Sequence, residues 1–155
     1  MIKLIRVDYR LIHGQVAVSW VASLGANAIL LVSDTLKNDP IRRETLLLAK
    51  PSNMKLVAKD TQGAIDILTS GKTKQYKVFV VCETLEIADK VSRAVDEKKI
   101  NLGNIAFAEG KRKLTRSVYV DEKDIRLIKA LSNDGYDVFI QMVPSDKKLE
   151  AVKLI

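Results

Sequence analysis

The residues of this 155-residue chain best suited to chemistry converge on one short stretch, "DYRLIHGQV", from Asp8 to Val16. It holds the only histidine, His13, with Arg10 three positions before it and Gly14 directly after. An imidazole near a guanidinium suits phosphoryl transfer. A neutral ring nitrogen can accept a phosphoryl group as a nucleophile, and the planar arginine fork can clamp the phosphoryl oxygens. A single histidine cannot build a multi-histidine metal centre. The single cysteine, Cys82, excludes an internal disulfide and a cysteine-cluster metal site. Within "VFVVCETL" it reads as a small buried apolar residue at a strand end rather than a reactive thiol. No Gly-x-Gly-x-x-Gly or Gly-Lys-Ser/Thr motif follows the first apolar run, so a nucleotide site lacks its signature, and no cofactor is expected.

The elements that must position these residues are legible as β-rich apolar runs alternating with amphipathic segments. Ile2 to Val7 predicts a strand, and Gly14 to Leu24 a helix closed by Gly25, so "DYRLIH" is the loop between them. Strands follow at 28–32, 55–58 and 77–81. The helix between the first two starts from Asp39 as N-cap with Pro40 at its first position, the next is "TQGAIDILTSG" with Gly71 as its stop, and Leu85 to Val95 has helical spacing. The "NIAFA" run ending at Ala108 and "SVYV" at 117–120 predict two more strands, joined by "EGKRKLTR" as an irregular or hairpin-like connection too short for a crossover helix. Asp121 and Asp124 form a capping-box pair at the head of a helix with Ile125, Ile128 and Leu131 on its apolar face and Gly135 closing it. "DVFIQM" is a seventh strand, and Ser145 to Leu154 a last helix.

Consecutive β-α units imply an α/β fold: a doubly wound, largely parallel seven-stranded sheet with helices on both faces. Residues 1–155 read as a single domain, with no repeat or Pro/Gly/Ser linker to divide them. In such a sheet ligands sit outside the carboxyl ends of the strands, which is where the "DYRLIH" loop leaves the first strand. His13 also stands directly before a helix whose free N–H groups favour a phosphate, making Gly14 and Gln15 supporting candidates.

Composition bounds the alternatives. The net charge of +7 favours anionic partners without choosing among nucleic acid, phosphate esters and acidic proteins. No apolar run approaches the ~18 residues of a membrane span, and Lys3, Arg6, Asp8 and Arg10 interrupt any signal-peptide block, so a cytoplasmic protein is expected. "KRKLTR" gathers Lys111, Arg112, Lys113 and Arg116, the basis for an alternative reading as a basic binding module for nucleic acid or a phosphate ligand without catalysis. With only 5% aromatics in the chain and none in the cluster, base stacking lacks its residues, and no nucleic-acid partner is expected. A hydrolase of the histidine-phosphatase type would need arginine where Ile12 stands, and a second histidine.

"RVDYRLIHGQV" resembles the active-site segment of the IIB subunits of the mannose and sorbose family of bacterial sugar phosphotransferase systems. "VSD" after the second strand, "FAEGK" in the late loop and "VDEKDI" at a helix start extend the likeness along the chain. The resemblance implies a phosphorelay. His13 would receive a phosphoryl group, on Nδ1, from a phosphohistidine of the IIA protein and pass it to a sugar held by the membrane subunits IIC and IID. Arg10 would stabilise the transferring group, and Asp8 would orient Arg10 or the loop backbone. The implied unit is one chain or a homodimer, peripherally associated with the membrane subunits, its phosphoryl group carried covalently on histidine. Two departures bear on the site: Tyr9 stands where the family often has a second aspartate, and Gly103, Asn104 and Ile105 where many members have Gly-Gly-Met. Lys111, Arg112 and Lys113 are candidates for docking an acidic IIA protein.

Overall fold

Nine strands and five α-helices grow from this alternation in a computed structural model that describes residues 1–155. In chain order they are β1 (Ile2–Asp8), α1 (Gly14–Leu24), β2 (Ala28–Val32), α2 (Pro40–Leu48), β3 (Lys55–Lys59), α3 (Thr61–Thr69) and β4 (Val78–Cys82). Then follow α4 (Leu85–Val95), β5 (Lys99–Asn104), β6 (Arg112–Thr115), β7 (Val118–Val120), α5 (Glu122–Asn133), β8 (Asp137–Ile140) and β9 (Leu149–Glu150). Local chemistry fixes several boundaries. The Asp39 carboxylate accepts from the Arg42 N–H at 3.1 Å, with Pro40 opening α2. Asp121 and Asp124 form a reciprocal capping box at α5. Gly25 takes the left-handed conformation, φ 64°, that ends α1.

The main sheet has strand order β3-β2-β4-β1-β5-β8-β9, parallel throughout except for β9. β1 lies inside it, flanked by β4 and β5, so the segment before His13 is anchored on both sides. Side chains alternate across the sheet. Ile5, Leu30, Val80, Ile100 and Val138 meet α3, α4 and α5 on one face; Leu4, Ile29, Leu31 and Phe79 meet Trp20 of α1 and Leu46 of α2 on the other. Each such buried side chain contributes ~1.5–3 kcal/mol, and the two clusters together clamp the sheet between helical layers.

The sheet holds seven strands as expected, but with different members. The fifth strand is Lys99–Asn104, not the "NIAFA" run; Ile105 makes only an isolated bridge to Val118. The strand at 118–120 lies outside the main sheet, pairing antiparallel with β6, so Arg112–Thr115, expected to lie within an irregular or hairpin-like connection, is itself one strand of a two-stranded hairpin. The seventh place goes to β9. The helix expected over Ser145 to Leu154 does not form: Leu149 and Glu150 pair with Ile140 and Phe139, leaving a single 3-10 turn at Ala151–Leu154. An edge place beside β8 and the burial of Ala151 outweigh the helical pattern there. Cys82 is fully buried at the end of β4, and burial pushes its thiol pKa up, away from reactivity.

Candidate functional site

β1 delivers Asp8 to the carboxyl edge of the sheet, and the chain then turns sharply into α1. The Leu11 N–H closes the turn on the Asp8 carbonyl at 2.9 Å. Leu11 adopts a left-handed conformation, φ 63°, unusual for a side-chain-bearing residue. Burial holds it there: Leu11 and Ile12 sink into the core under α1, and their anchorage leaves Arg10 and His13 on the outside of the loop. His13 is exposed and is the N-cap residue of α1, yet its side chain makes no capping hydrogen bond. The four other helices are each capped by an aspartate or threonine side chain. Only α1 presents its first amides, those of Gly14 and Gln15, without an acidic residue in its first turn or a capping side chain. Gly14, at φ 38°, is exposed, with open space where a side chain would stand.

Asp8 organises the other half of the site. Asp8 is 1% exposed, and its carboxylate accepts five hydrogen bonds. Arg10 donates its backbone N–H at 3.0 Å and its Nε at 3.2 Å to Oδ1, and its Nη2 at 3.3 Å to Oδ2. Arg6 Nη2 and Asn104 Nδ2 each donate to Oδ2 at 3.3 Å. A buried carboxylate surrounded in this way is rigid, and so is the guanidinium it grips. Arg6 is the unexpected member. It is 2% exposed, donates Nη1 to Asn101 Oδ1 at 2.6 Å and to the Gln141 carbonyl at 3.2 Å, and lies over the Trp20 ring. Burial pulls the Arg6 pKa below its ordinary value, while Asp8 pushes it back up. Glycine is required at position 103 of β5, because a Cβ there would overlap the Arg6 guanidinium.

A second set of contacts steadies the loop from the side. Arg42 Nη1 donates to Glu83 Oε2 at 2.6 Å and its Nη2 to the Tyr9 carbonyl at 3.1 Å, while Thr35 Oγ1 donates to Glu83 Oε1 at 2.9 Å. Tyr9, in the position where an aspartate is common, points its ring to solvent, 45% exposed. Three carboxyl-edge loops, after β1, β2 and β4, are thereby tied together. Sequence reasoning found Asp8, Arg10, His13, Gly14 and Gln15, which the structure gathers at one edge. It missed Arg6, Asn101 and Asn104; the only signal was polar residues inside otherwise strand-like runs.

The basic cluster divides in two. Lys111 is paired with Asp124 at 3.0 Å and is largely covered, whereas Arg112 and Lys113 stand exposed on the hairpin. β5 runs parallel to β1, so the hairpin leaves the sheet at the edge that carries His13.

The chain as a whole is similar to known proteins. The family model described as "PTS system sorbose subfamily IIB component" matches residues 2–155. This chain belongs to that family. It is 35% identical over 149 residues to the N-acetylgalactosamine-specific phosphotransferase enzyme IIB component 1 of Escherichia coli (strain K12), covering 95% of this chain and 94% of that protein. It is 30% identical to the fructose-specific EIIB component of Bacillus subtilis, covering 99% and 95% of the two chains. The crystal structure of the IIBSor domain of the sorbose permease from Klebsiella pneumoniae superposes with a TM-score of 0.94 at 29% identity, over 99% of this chain and 95% of that one. The chain also matches 48% of the mannose-specific EIIAB component of Escherichia coli at 31% identity. This IIB component is thus part of a sugar phosphotransferase system, and none of its helices is long and apolar enough to cross a membrane.

Proposed function

We propose that this IIB component is a single phosphorelay domain whose His13 accepts a phosphoryl group from the IIA protein and passes it to a sugar bound by the IIC and IID membrane subunits. The lone pair of an imidazole nitrogen, Nδ1 in this reading, attacks the phosphorus of the donor phosphohistidine. A P–N bond forms to His13 as the donor P–N bond breaks, and the donor imidazole leaves. In the second step a sugar hydroxyl oxygen attacks phosphorus, the bond to His13 breaks, and the hydroxyl proton passes to a base on the sugar side. The chain acts in the cytoplasm, at the membrane subunits, with no cofactor beyond the phosphoryl group itself.

The observation that carries this reading is the exposed His13 at the one α-helix N-terminus without a side-chain cap. Phosphoryl oxygens on the imidazole would supply the acceptors that the Gly14 and Gln15 amides lack, and the helix dipole would favour their charge. Arg10 adds the second clamp. Asp8 occupies the Nε side of its guanidinium, which leaves Nη1 and the second hydrogen of Nη2 for oxygens that gain charge during transfer. The E. coli relative named EIIAB supports a IIA donor, since A and B share one chain there. Incubation with phosphoenolpyruvate, its kinase, the general phosphocarrier and a cognate IIA tests the proposal: one acid-labile phosphate per chain should map to His13. A stable map to any other residue would overturn it.

A further inference from the structure

A cavity of about 260 Å³ opens at the amino ends of β2, β3 and β4, on the sheet face covered by α3. Ala28, Val57 and Val78 form its floor, and Ile67 of α3 and Tyr76 of the α3–β4 loop wall it. It lies at the far end of the sheet from His13. Val78, the first residue of β4, is paired with Ile2, and Cys82, the last, with Val7, so the length of β1 separates the two ends by ~20 Å. No residue of the Asp8, Arg10 and His13 cluster lines it.

The lining is apolar except at the mouth, where exposed Lys55, Lys72 and Gln75 stand with Thr73. Lys55 Nζ lies 5.2 Å from the Tyr76 ring centroid and donates to the Tyr76 hydroxyl at 3.4 Å, which holds this cation against the cavity wall. Neither lysine is paired with a carboxylate. The surrounding chain offers none: segments 45–59 and 67–82 contain six lysines and no aspartate or glutamate. Asp66, the one carboxylate of α3, is not part of the lining and accepts from Gln62 Nε2 at 2.8 Å.

We propose that this cavity is a binding site for a small organic carboxylate with a compact apolar body. Its volume stands near the lower end of small-molecule sites, ~300–1,000 Å³, which limits the ligand to a small one. Apolar walls take the body out of water, and a few polar groups at the mouth fix its orientation. The charge belongs on Lys55 and Lys72, two cations with no other partner. A sugar phosphate fits poorly. It is hydroxylated all round, no arginine fork lines the cavity, and α3 meets it at Ile67, in the last turn, where the helix dipole is negative and opposes a dianion.

The probe is 4-phenylbutyrate, titrated into the ¹⁵N-labelled full chain. It should shift the amides of residues 55–57 and 72–76 along one isotherm with a Kd on the order of 1 mM, a strength ordinary for so few atoms. The amide 4-phenylbutanamide keeps the body without the charge, and inorganic phosphate keeps charge without the body; each should bind there ~3- to 30-fold more weakly. Lys55→Gln with Lys72→Gln should weaken 4-phenylbutyrate over the same ~3- to 30-fold range, and Val57→Phe, which fills the floor, should abolish binding. Absence of shifts at ~10 times that concentration would overturn the proposal. So would shifts confined to residues 8–15, equal binding of the amide or of phosphate, or wild-type affinity in the folded lysine variant. If Val57→Phe melts far below wild type, the lysine variant, altered only at exposed positions, decides alone.

Discussion

Asp8 holds Arg10 by the side of its guanidinium, with Oδ1 3.2 Å from Nε and Oδ2 3.3 Å from Nη2. The opposite edge is left for a ligand. Lysine at this position would keep the charge but lose both the grip on Asp8 and the planar fork. Arg10→Lys should therefore slow phosphoryl uptake by ~10- to 1000-fold, the range expected when one preorganised donor is removed. Rapid-quench transfer assays measure it, and an unchanged rate would reduce Arg10 to a surface residue.

Removing Asp8 leaves two guanidinium groups facing each other, one of them fully buried. Asp8→Ala should cost ~3–5 kcal/mol of stability, the range for breaking a buried ion pair from one side. Denaturant unfolding would show this as a lower midpoint at constant slope. Asp8→Asn keeps acceptor capacity at one oxygen and should lose less.

Gly103 is a packing necessity for Arg6 rather than a flexible hinge. Gly103→Ala forces a methyl group against the Arg6 guanidinium and should destabilise the fold by ~1–3 kcal/mol, read in the same unfolding experiment. Replacing Arg6 as well should not restore stability, since Asp8 would then lose one of its partners.

Charge on the hairpin should act on encounter. Arg112→Ser with Lys113→Ser should slow uptake from IIA at low salt, with the deficit shrinking above ~0.15 M, where the screening length is ~8 Å. Lys111 behaves differently because it is tied to Asp124 at the head of α5. Lys111→Ser should lower stability as well, and thermal melts distinguish the two effects.

Much of this site could be read from sequence because it is contiguous: Asp8, Arg10, His13, Gly14 and Gln15 lie within one turn between a strand and a helix. The rest depends on strand pairing. Asn104 reaches Asp8 only because β5 lies parallel to β1 with those two residues in register, and Arg6 meets Asn101 by the same pairing. β5 itself was hidden for a related reason. "KINLGN" carries a lysine, two asparagines and a glycine, which suggest a turn, while the more apolar "NIAFA" beside it suggests a strand. Both asparagines are buried to serve Arg6 and Asp8, and Gly103 makes room for Arg6, so the residues that obscured the strand are those that complete the site. The C-terminal segment misled in the opposite way. Its helical pattern gave way to a place at the sheet edge that only the assembled β8 provides.

The central claim is that His13 carries the phosphoryl group, and paired measurement of wild type and His13→Gln tests it most directly. Both proteins are incubated with the phosphoenolpyruvate-driven donor chain ending in IIA, and bound phosphate is counted and mapped by mass spectrometry at alkaline pH. Because the His13 side chain is exposed and makes no capping bond, His13→Gln should keep the wild-type fold and melting temperature. Wild type should hold one phosphate, on His13, that is lost in acid, and His13→Gln none. Phosphate retained by a folded His13→Gln protein would contradict the account.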